Sequence, residues 1–470
     1  MSFVFYDTET TGTHTAFDQI LQFSAIRTDS NLNEIDQFEV RSRLLPHIVP
    51  SPGAMQVTRV RATQLIDRAF PSHYEMVRLV QDKFLSWSPA VFIGYNSIDF
   101  DEHLFRQALY KTLHPPYLTN TNGNARSDVM RMVQAAYLFS PKALKIPIGD
   151  RRKPTFKLDR VAPANGFDHK SAHDATADVK ATIFLSRLLS DRAPEVWSSF
   201  MRFSKKATVT DYVFSERIFC FSEFYYGKPH SYLVTSIGQN PDNSSEVYIY
   251  DLEVDPKSLS MLSDARLAAR LKESPKPVRR LRCNASPILT PGDEAPEIAS
   301  AKVLGMRELE RRAQALESDG KLKEHLIATF ESTREARLPS PHVEEQLYDA
   351  FFIDADQVLL DEFHQVPWKE RMAIVEKFKD RRLRLLGQQL IHSEQPNLLN
   401  ARLRRELDQN IAKRILGYGD DVRWVTLHKA QDELKTLMGN ADKKEGSFLK
   451  EHHAYISERL DHANTLLQDK

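Results

Sequence analysis

A short apolar run, Phe3-Val-Phe-Tyr6, passes into Asp7-Thr-Glu9 and a glycine at Gly12, which predicts a strand ending in a turn. Side chains alternate along a strand, so Phe3, Phe5, Asp7 and Glu9 fall on one face and Val4, Tyr6 and Thr8 on the other. The segments 20–26 and 34–40 repeat the strand pattern on either side of a turn-rich stretch, predicting a three-stranded antiparallel meander. From Pro50 the spacing becomes helical, with Met76, Val77, Val80, Phe84 and Leu85 as a core-facing stripe. Residues 90–95 predict a buried strand. The turn 96–100 then leads into a helix that carries Leu104, Phe105, Ala108 and Leu109, with Asp101 in its first turn. A further helix is predicted from Asp174 through Val179, Ile183, Leu185, Leu188 and Leu189. Strands followed by strand–helix units make a mixed α/β domain.

After Arg192-Ala-Pro194 the pattern shifts to short β-like runs at 217–221, 231–236, 246–251 and 278–283, broken by turn clusters. These predict a small barrel with helical insertions near 259–271 and 307–318. Its aromatic residues Phe219, Phe221, Phe224, Tyr225, Tyr226 and Tyr232 suit either a barrel core or stacking on bases. From Val343 helical spacing runs almost to the end, predicting a closing all-α domain. Within it, Lys369 to Arg384 and the nearby Arg402, Arg404 and Arg405 form basic stretches that read as a solvated face or as one wall of a nucleic-acid groove.

A chain of 470 residues exceeds one core. The pattern divides it into domains at 1–193, 194–340 and 341–470. Lys plus Arg and Asp plus Glu both number 64, so only local clustering of charge can point to a polyanionic partner. Cys220 and Cys283 are too few for a disulfide framework and predict two small buried residues in a reducing compartment. No apolar run approaches the roughly 20 residues of a membrane span, and the N-terminus opens without a charged leader. A cytoplasmic protein without a membrane partner is expected.

Two carboxylates on one face of a strand end repel each other unless protons or cations lie between them, and hard oxygen donors suit Mg²⁺ or Mn²⁺. The alternative for Asp7-Thr-Glu9 is a solvated strand end. His173 and Asp178 are five residues apart, which on a continuous helix turns them about 140° away from each other. Both therefore face one site only if His173 lies in the entry loop and Asp178 in the second helical turn. Between these elements, the Pro- and Gly-containing loop 141–157 holds Lys142, Lys145, Arg151, Arg152, Lys153 and Lys157 against a single acid, Asp150. It reads as a solvated loop or as one that contacts phosphates and positions a nucleic acid without reading its sequence.

Asp7, Glu9, Asp101, His173 and Asp178 occur in the order and spacing of the DEDDh exonucleases, whose fold is ribonuclease H-like. Several further stretches resemble bacterial exonuclease I more particularly: Gly12-Thr-His14, 22–29, Pro52-Gly-Ala54, Gly94-Tyr-Asn96, 164–179 and 346–356. Thr11 stands where that family has an aromatic residue, and Lys157 where it commonly has Arg. The resemblance implies an exonuclease domain, an SH3-like β-barrel domain and a C-terminal helical domain, the two later domains embracing the catalytic one in a C-shape that would hold the DNA strand. It implies 3′–5′ hydrolysis of single-stranded DNA to 5′-mononucleotides by a monomer that also binds the acidic tail of single-stranded DNA-binding protein. Asp7, Glu9, Asp101 and Asp178 would hold two Mg²⁺ ions, with Mn²⁺ as substitute, and His173 would be the general base. Glu9, Lys157, Lys142, Lys145, Arg151 and Arg152 would contact the substrate. The same five residues would also serve an exoribonuclease on short RNA, and a non-catalytic DNA-binding scaffold is the reading from another class.

Overall fold

A computed structural model of the protein describes residues 2–168, 174–335, 338–440 and 443–468. The first sheet has the order β3-β2-β1-β4-β5, with β1 Phe3–Thr10, β2 Ile20–Thr28, β3 Glu34–Arg41, β4 Val91–Gly94 and β5 Ala125–Asp128. The first three strands form the predicted antiparallel meander, while β4 and β5 run parallel to β1. The alternation along β1 separates two cores. Phe3 and Phe5 pack with Val179, Ile183 and Leu189 of the Ala175–Arg192 helix and with the Val129–Phe139 helix. Val4 and Tyr6 pack with Phe84 of the His73–Trp87 helix and Phe105 of the Asp101–Lys111 helix. The sheet is thus covered on both faces, and β1 lies at its centre.

Strand β5 has no counterpart in the sequence reading. Its four residues, Ala-Arg-Ser-Asp, carry no apolar signal, because Arg126 is buried through an ion pair with Glu102 and not through apolar packing.

A second sheet has the order β10-β6-β7-β8-β9, with β6 Phe219–Tyr225, β7 Lys228–Gln239, β8 Glu246–Asp251, β9 Val278–Arg282 and β10 Ile288–Pro291. One face packs on the Asp264–Lys272, Met306–Ser318 and Gly320–Ser332 helices, and the other on the Lys206–Ser215 helix. The first insertion therefore starts at Asp264 and not at Leu259, and β10 and the Gly320–Ser332 helix are additions to the expected set. Cys220 and Cys283 are both free and buried, as expected.

Helices occupy most of the chain from Asp354 to Gln468 and share their core with the first domain. Tyr74, Tyr110 and Leu113 join Phe363, Ile374 and Leu386 in one cluster, and Met55 and Leu65 meet Phe448 and Tyr455 in another. Among the described residues, no helix is long and apolar enough to cross a membrane.

Candidate active site

Three of the predicted acids meet at the end of β1. Asp7, Glu9 and Asp178 each offer a carboxylate oxygen, and these oxygens lie within 4.8 Å of one another. Asp7 and Glu9 share the strand face against which the Ala175–Arg192 helix packs, and that helix brings Asp178 to them. Asp178 stands at the end of the helix's first turn and not in its second, because Asp174 is the cap and the helix itself begins one residue later, at Ala175. His173 lies outside the described residues.

Asp101 approaches from the other side. Its helix packs on the opposite face of the sheet, so the carboxylate reaches the strand end beside Thr8, whose Oγ1 donates to Asp101 Oδ1 at 2.5 Å. Asp101 is therefore next to the cluster but not among its three converging acids. The turn before it is tight: Asn96 has φ of 61°, and a Cβ on Gly94 would stand 2.5 Å from that of Ser97. That spacing accounts for glycine in the Gly94-Tyr-Asn96 stretch.

The electrostatics match a cation site. Burial, then the charges of Asp101, Asp178 and Glu9, pushes the Asp7 carboxyl well above the usual carboxylate range. Burial, then Asp178 and Asp101, pushes Glu9 up to about 9. Asp101 is pushed up to about 6 by burial, against the opposing hydrogen bond from Thr8. Neighbouring carboxylates of this kind ionise together only beside a cation. A donor set made of carboxylate oxygens alone fits a hard divalent metal and not a thiophilic one.

Sequence reasoning missed the residues that hold these acids. Asp174 caps the helix by accepting from Ala177 N, and its Oδ2 accepts from Gln22 Nε2 and Arg41 Nη2, both at 3.2 Å. Thr176 meets Ser24 Oγ at 2.8 Å and donates to Glu39 Oε2 at 2.7 Å. The first turn is thereby fixed to β2 and β3. The helix-cap pattern at Asp174 was a signal for one half of this arrangement; its cross-strand partners left none. Asp128 is buried and accepts from Asn96 N and Ile98 N at 3.0 and 3.1 Å, holding the turn that leads to Asp101. Glu102 is 1% exposed and accepts from Tyr6, Arg106, Thr119 and Arg126. Its burial raises the carboxyl's pKa, but Arg126 and then Arg106 outweigh that and bring it to about 2.

In the basic loop, Lys142, Lys145, Arg152 and Lys157 are exposed, and the side chain of Arg151 lies outside the description. Lys157 immediately precedes the Leu158–Ala164 helix. The hairpin between β6 and β7 rests on this loop: a Cβ on Gly227 would stand 2.8 Å from the Pro154 carbonyl oxygen. Phe224 packs edge-on to Phe156 at 5.0 Å, and Tyr226 at the hairpin tip is 92% exposed. The six predicted aromatics therefore divide, with Phe219 and Phe221 in the core, Phe224 and Tyr232 half-buried, and Tyr225 and Tyr226 at the surface.

Comparison with known proteins agrees with this arrangement. An exonuclease family model matches residues 4–185, and a model of the exonuclease I C-terminal domain matches residues 341–459. Exodeoxyribonuclease I of Escherichia coli K12 is 27% identical over 93% of this chain and 96% of its own length. Exodeoxyribonuclease I of Buchnera aphidicola subsp. Acyrthosiphon pisum is 30% identical over 62% of this chain and 72% of its own. The crystal structure of E. coli exonuclease I with a dT13 oligonucleotide superposes with a TM-score of 0.82 at 25% identity, covering 97% of this chain and 99% of that one. The E. coli protein has also been solved as a zinc-bound complex with single-stranded DNA, and a crystal structure of SSB/exonuclease I with an inhibitor superposes with a TM-score of 0.82 at 25% identity. Carboxylates converging at a strand end, a matching fold over nearly the full length and identity spread along the whole chain place this protein in the exodeoxyribonuclease I family.

Proposed function

We propose that this chain removes 5′-mononucleotides from the 3′ end of single-stranded DNA, working as a cytoplasmic monomer at the centre formed by Asp7, Glu9, Asp101, Asp178 and His173. The observation that carries this reading is the convergence of Asp7, Glu9 and Asp178 within 4.8 Å in a chain of this family. Asp7, Glu9 and Asp178, with Asp101 beside them, would hold two divalent cations, Mg²⁺ by choice and Mn²⁺ as substitute. When bound, such cations supply charge stabilisation at the phosphate and a nucleophilic water at neutral pH. His173 takes the proton of that water, a task suited to a group that titrates near neutrality. The helix cap at Asp174, one residue after His173, fixes the turn that carries Asp178.

Substrate contacts follow from charge, and for Lys142, Lys145, Arg152 and Lys157 also from exposure. Lys157, Lys142, Lys145, Arg151 and Arg152 neutralise backbone phosphates, and Tyr225 and Tyr226 beside them offer faces for stacking bases. Glu9 also faces the terminal nucleotide. The division at 1–193, 194–340 and 341–470, with the middle unit SH3-like, assigns chemistry to the first domain and strand holding to the other two. Single-stranded DNA-binding protein is the proposed partner, as a similar solved structure is of SSB/exonuclease I.

The test offers a labelled single strand of DNA, its duplex and the matching RNA to the protein with Mg²⁺. Rapid mononucleotide release from single-stranded DNA alone supports the proposal. Preference for RNA supports an exoribonuclease, and binding without release supports a scaffold.

A further inference from the structure

The Pro52-Gly53-Ala54 stretch takes no part in the chemistry above, yet it lies where the helical domain meets the catalytic strand. Ser51 N donates to the carbonyl of Thr11 at 2.8 Å. Thr11 is fully buried, two residues beyond Glu9 at the end of β1. On its other side, the same segment is held by the Leu427–Asn440 helix. Glu433 Oε1 accepts from Gly53 N at 2.9 Å and from Ser51 Oγ at 3.2 Å. A Cβ on Gly53 would stand 2.8 Å from that same Oε1, so a side chain there would push the carboxylate off its present contact. Arg459 of the Lys443–Gln468 helix donates to the carbonyls of Ile48 and Pro46, just upstream.

We propose that Glu433 is a positioning residue for the catalytic centre. Through Gly53 and Ser51 it fixes Thr11, and with it the strand end that presents Asp7 and Glu9. The chain is short and continuous: carboxylate to Ser51 and Gly53, Ser51 N–H to Thr11 carbonyl, then two residues to Glu9. Displacing carboxylates in such a centre by a fraction of an ångström lowers the chemical rate more than it lowers binding. The inference rests on the proposed nuclease reading of the site.

The test compares Glu433→Ala, Glu433→Gln, Gly53→Ala and the Gly53→Ala/Glu433→Ala pair on a 20-nucleotide DNA and on a trinucleotide too short to reach the later domains. We expect Glu433→Ala to lower kcat by about tenfold on both substrates, with KM changed less than about twofold. Glu433→Gln retains an acceptor for Gly53 N–H and should restore most of the rate. Gly53→Ala should reproduce the loss in the parent, yet add nothing once Glu433 is Ala, because the two changes break one contact. An unchanged kcat in Glu433→Ala, a loss confined to KM on the longer strand, or additive effects of the pair would overturn the proposal. Should Glu433→Ala fail to fold, Gly53→Ala against Glu433→Gln decides the matter by the same kcat criterion. A parent protein inactive on both substrates would instead remove the nuclease reading, and this inference with it.

Discussion

Asp7, Glu9 and Asp178 share one small volume with Asp101 beside it, and the neighbouring charges add to burial in raising the proton affinity of Asp7 and Glu9. Removing one acid therefore takes away a ligand and also the mutual repulsion that gives the site its demand for a cation. Asp7→Ala or Asp178→Ala should abolish DNA hydrolysis at every Mg²⁺ concentration tested, and near-normal turnover in either variant would refute the metal assignment. His173→Ala should slow single-turnover cleavage by at least about 100-fold, the usual scale for a general base, while DNA affinity stays near that of the parent. A loss confined to affinity would take His173 out of the base role. At this scale the sequence was informative because acids are few at strand ends and their order along the chain is distinctive. Asp101 was legible as a site residue, but its bond to Thr8 was not, since it depends on two faces of the sheet meeting at one edge.

The Ala175–Arg192 helix shows what pattern reading captures at the scale of elements. Its apolar stripe and its start near Asp174 are local properties, and both are found. What Asp174 touches is not local: Gln22 and Arg41 come from β2 and β3, more than 130 residues away. For the same reason β5 was invisible, as Arg126 is buried by meeting Glu102 on the Asp101–Lys111 helix and the carbonyl of Asn284 in the second domain. The cap supports a specific expectation. Asp174→Ala should lower unfolding free energy by about 1 kcal/mol, the typical value of an N-cap, and should also reduce the rate by loosening Asp178. Asp174→Asn keeps the capping oxygen and should lose much less of both. Denaturant unfolding alongside single-turnover cleavage checks this, and equal damage by Asn and Ala would show that the charge, and not the cap, matters.

For the whole molecule, the first and last domains share a buried joint, and it contains groups that titrate. If exposed basic residues hold phosphates, DNA affinity must fall steeply as salt rises, through counterion release; a flat response between 50 and 200 mM would refute the groove. The joint itself holds His114 and His364 stacked with ring centroids 3.8 Å apart. His364 Nε2 lies 3.0 Å from the Leu113 carbonyl and so carries the proton, leaving Nδ1 to accept from Tyr74 OH at 3.0 Å. Tyr74 OH in turn accepts from Arg371 Nη1 at 2.8 Å. Burial lowers both histidines, His364 to about 4; Arg371 and Arg78 add to this, and Asp361 opposes it at His364. A histidine held neutral in the folded protein takes up a proton on unfolding at any pH between its folded value and about 6.5. Stability is therefore fully present above about pH 6.5 and falls as the pH drops towards 4, by up to about 1.4 kcal/mol per pH unit for each histidine. Between pH 7.5 and 5 the joint should lose about 2 kcal/mol for His364 alone. The His114→Gln/His364→Gln pair should start less stable at pH 7.5 and then show a shallower decline. Urea unfolding across that range decides it, because an unchanged slope in the double variant would place the acid sensitivity elsewhere in the molecule.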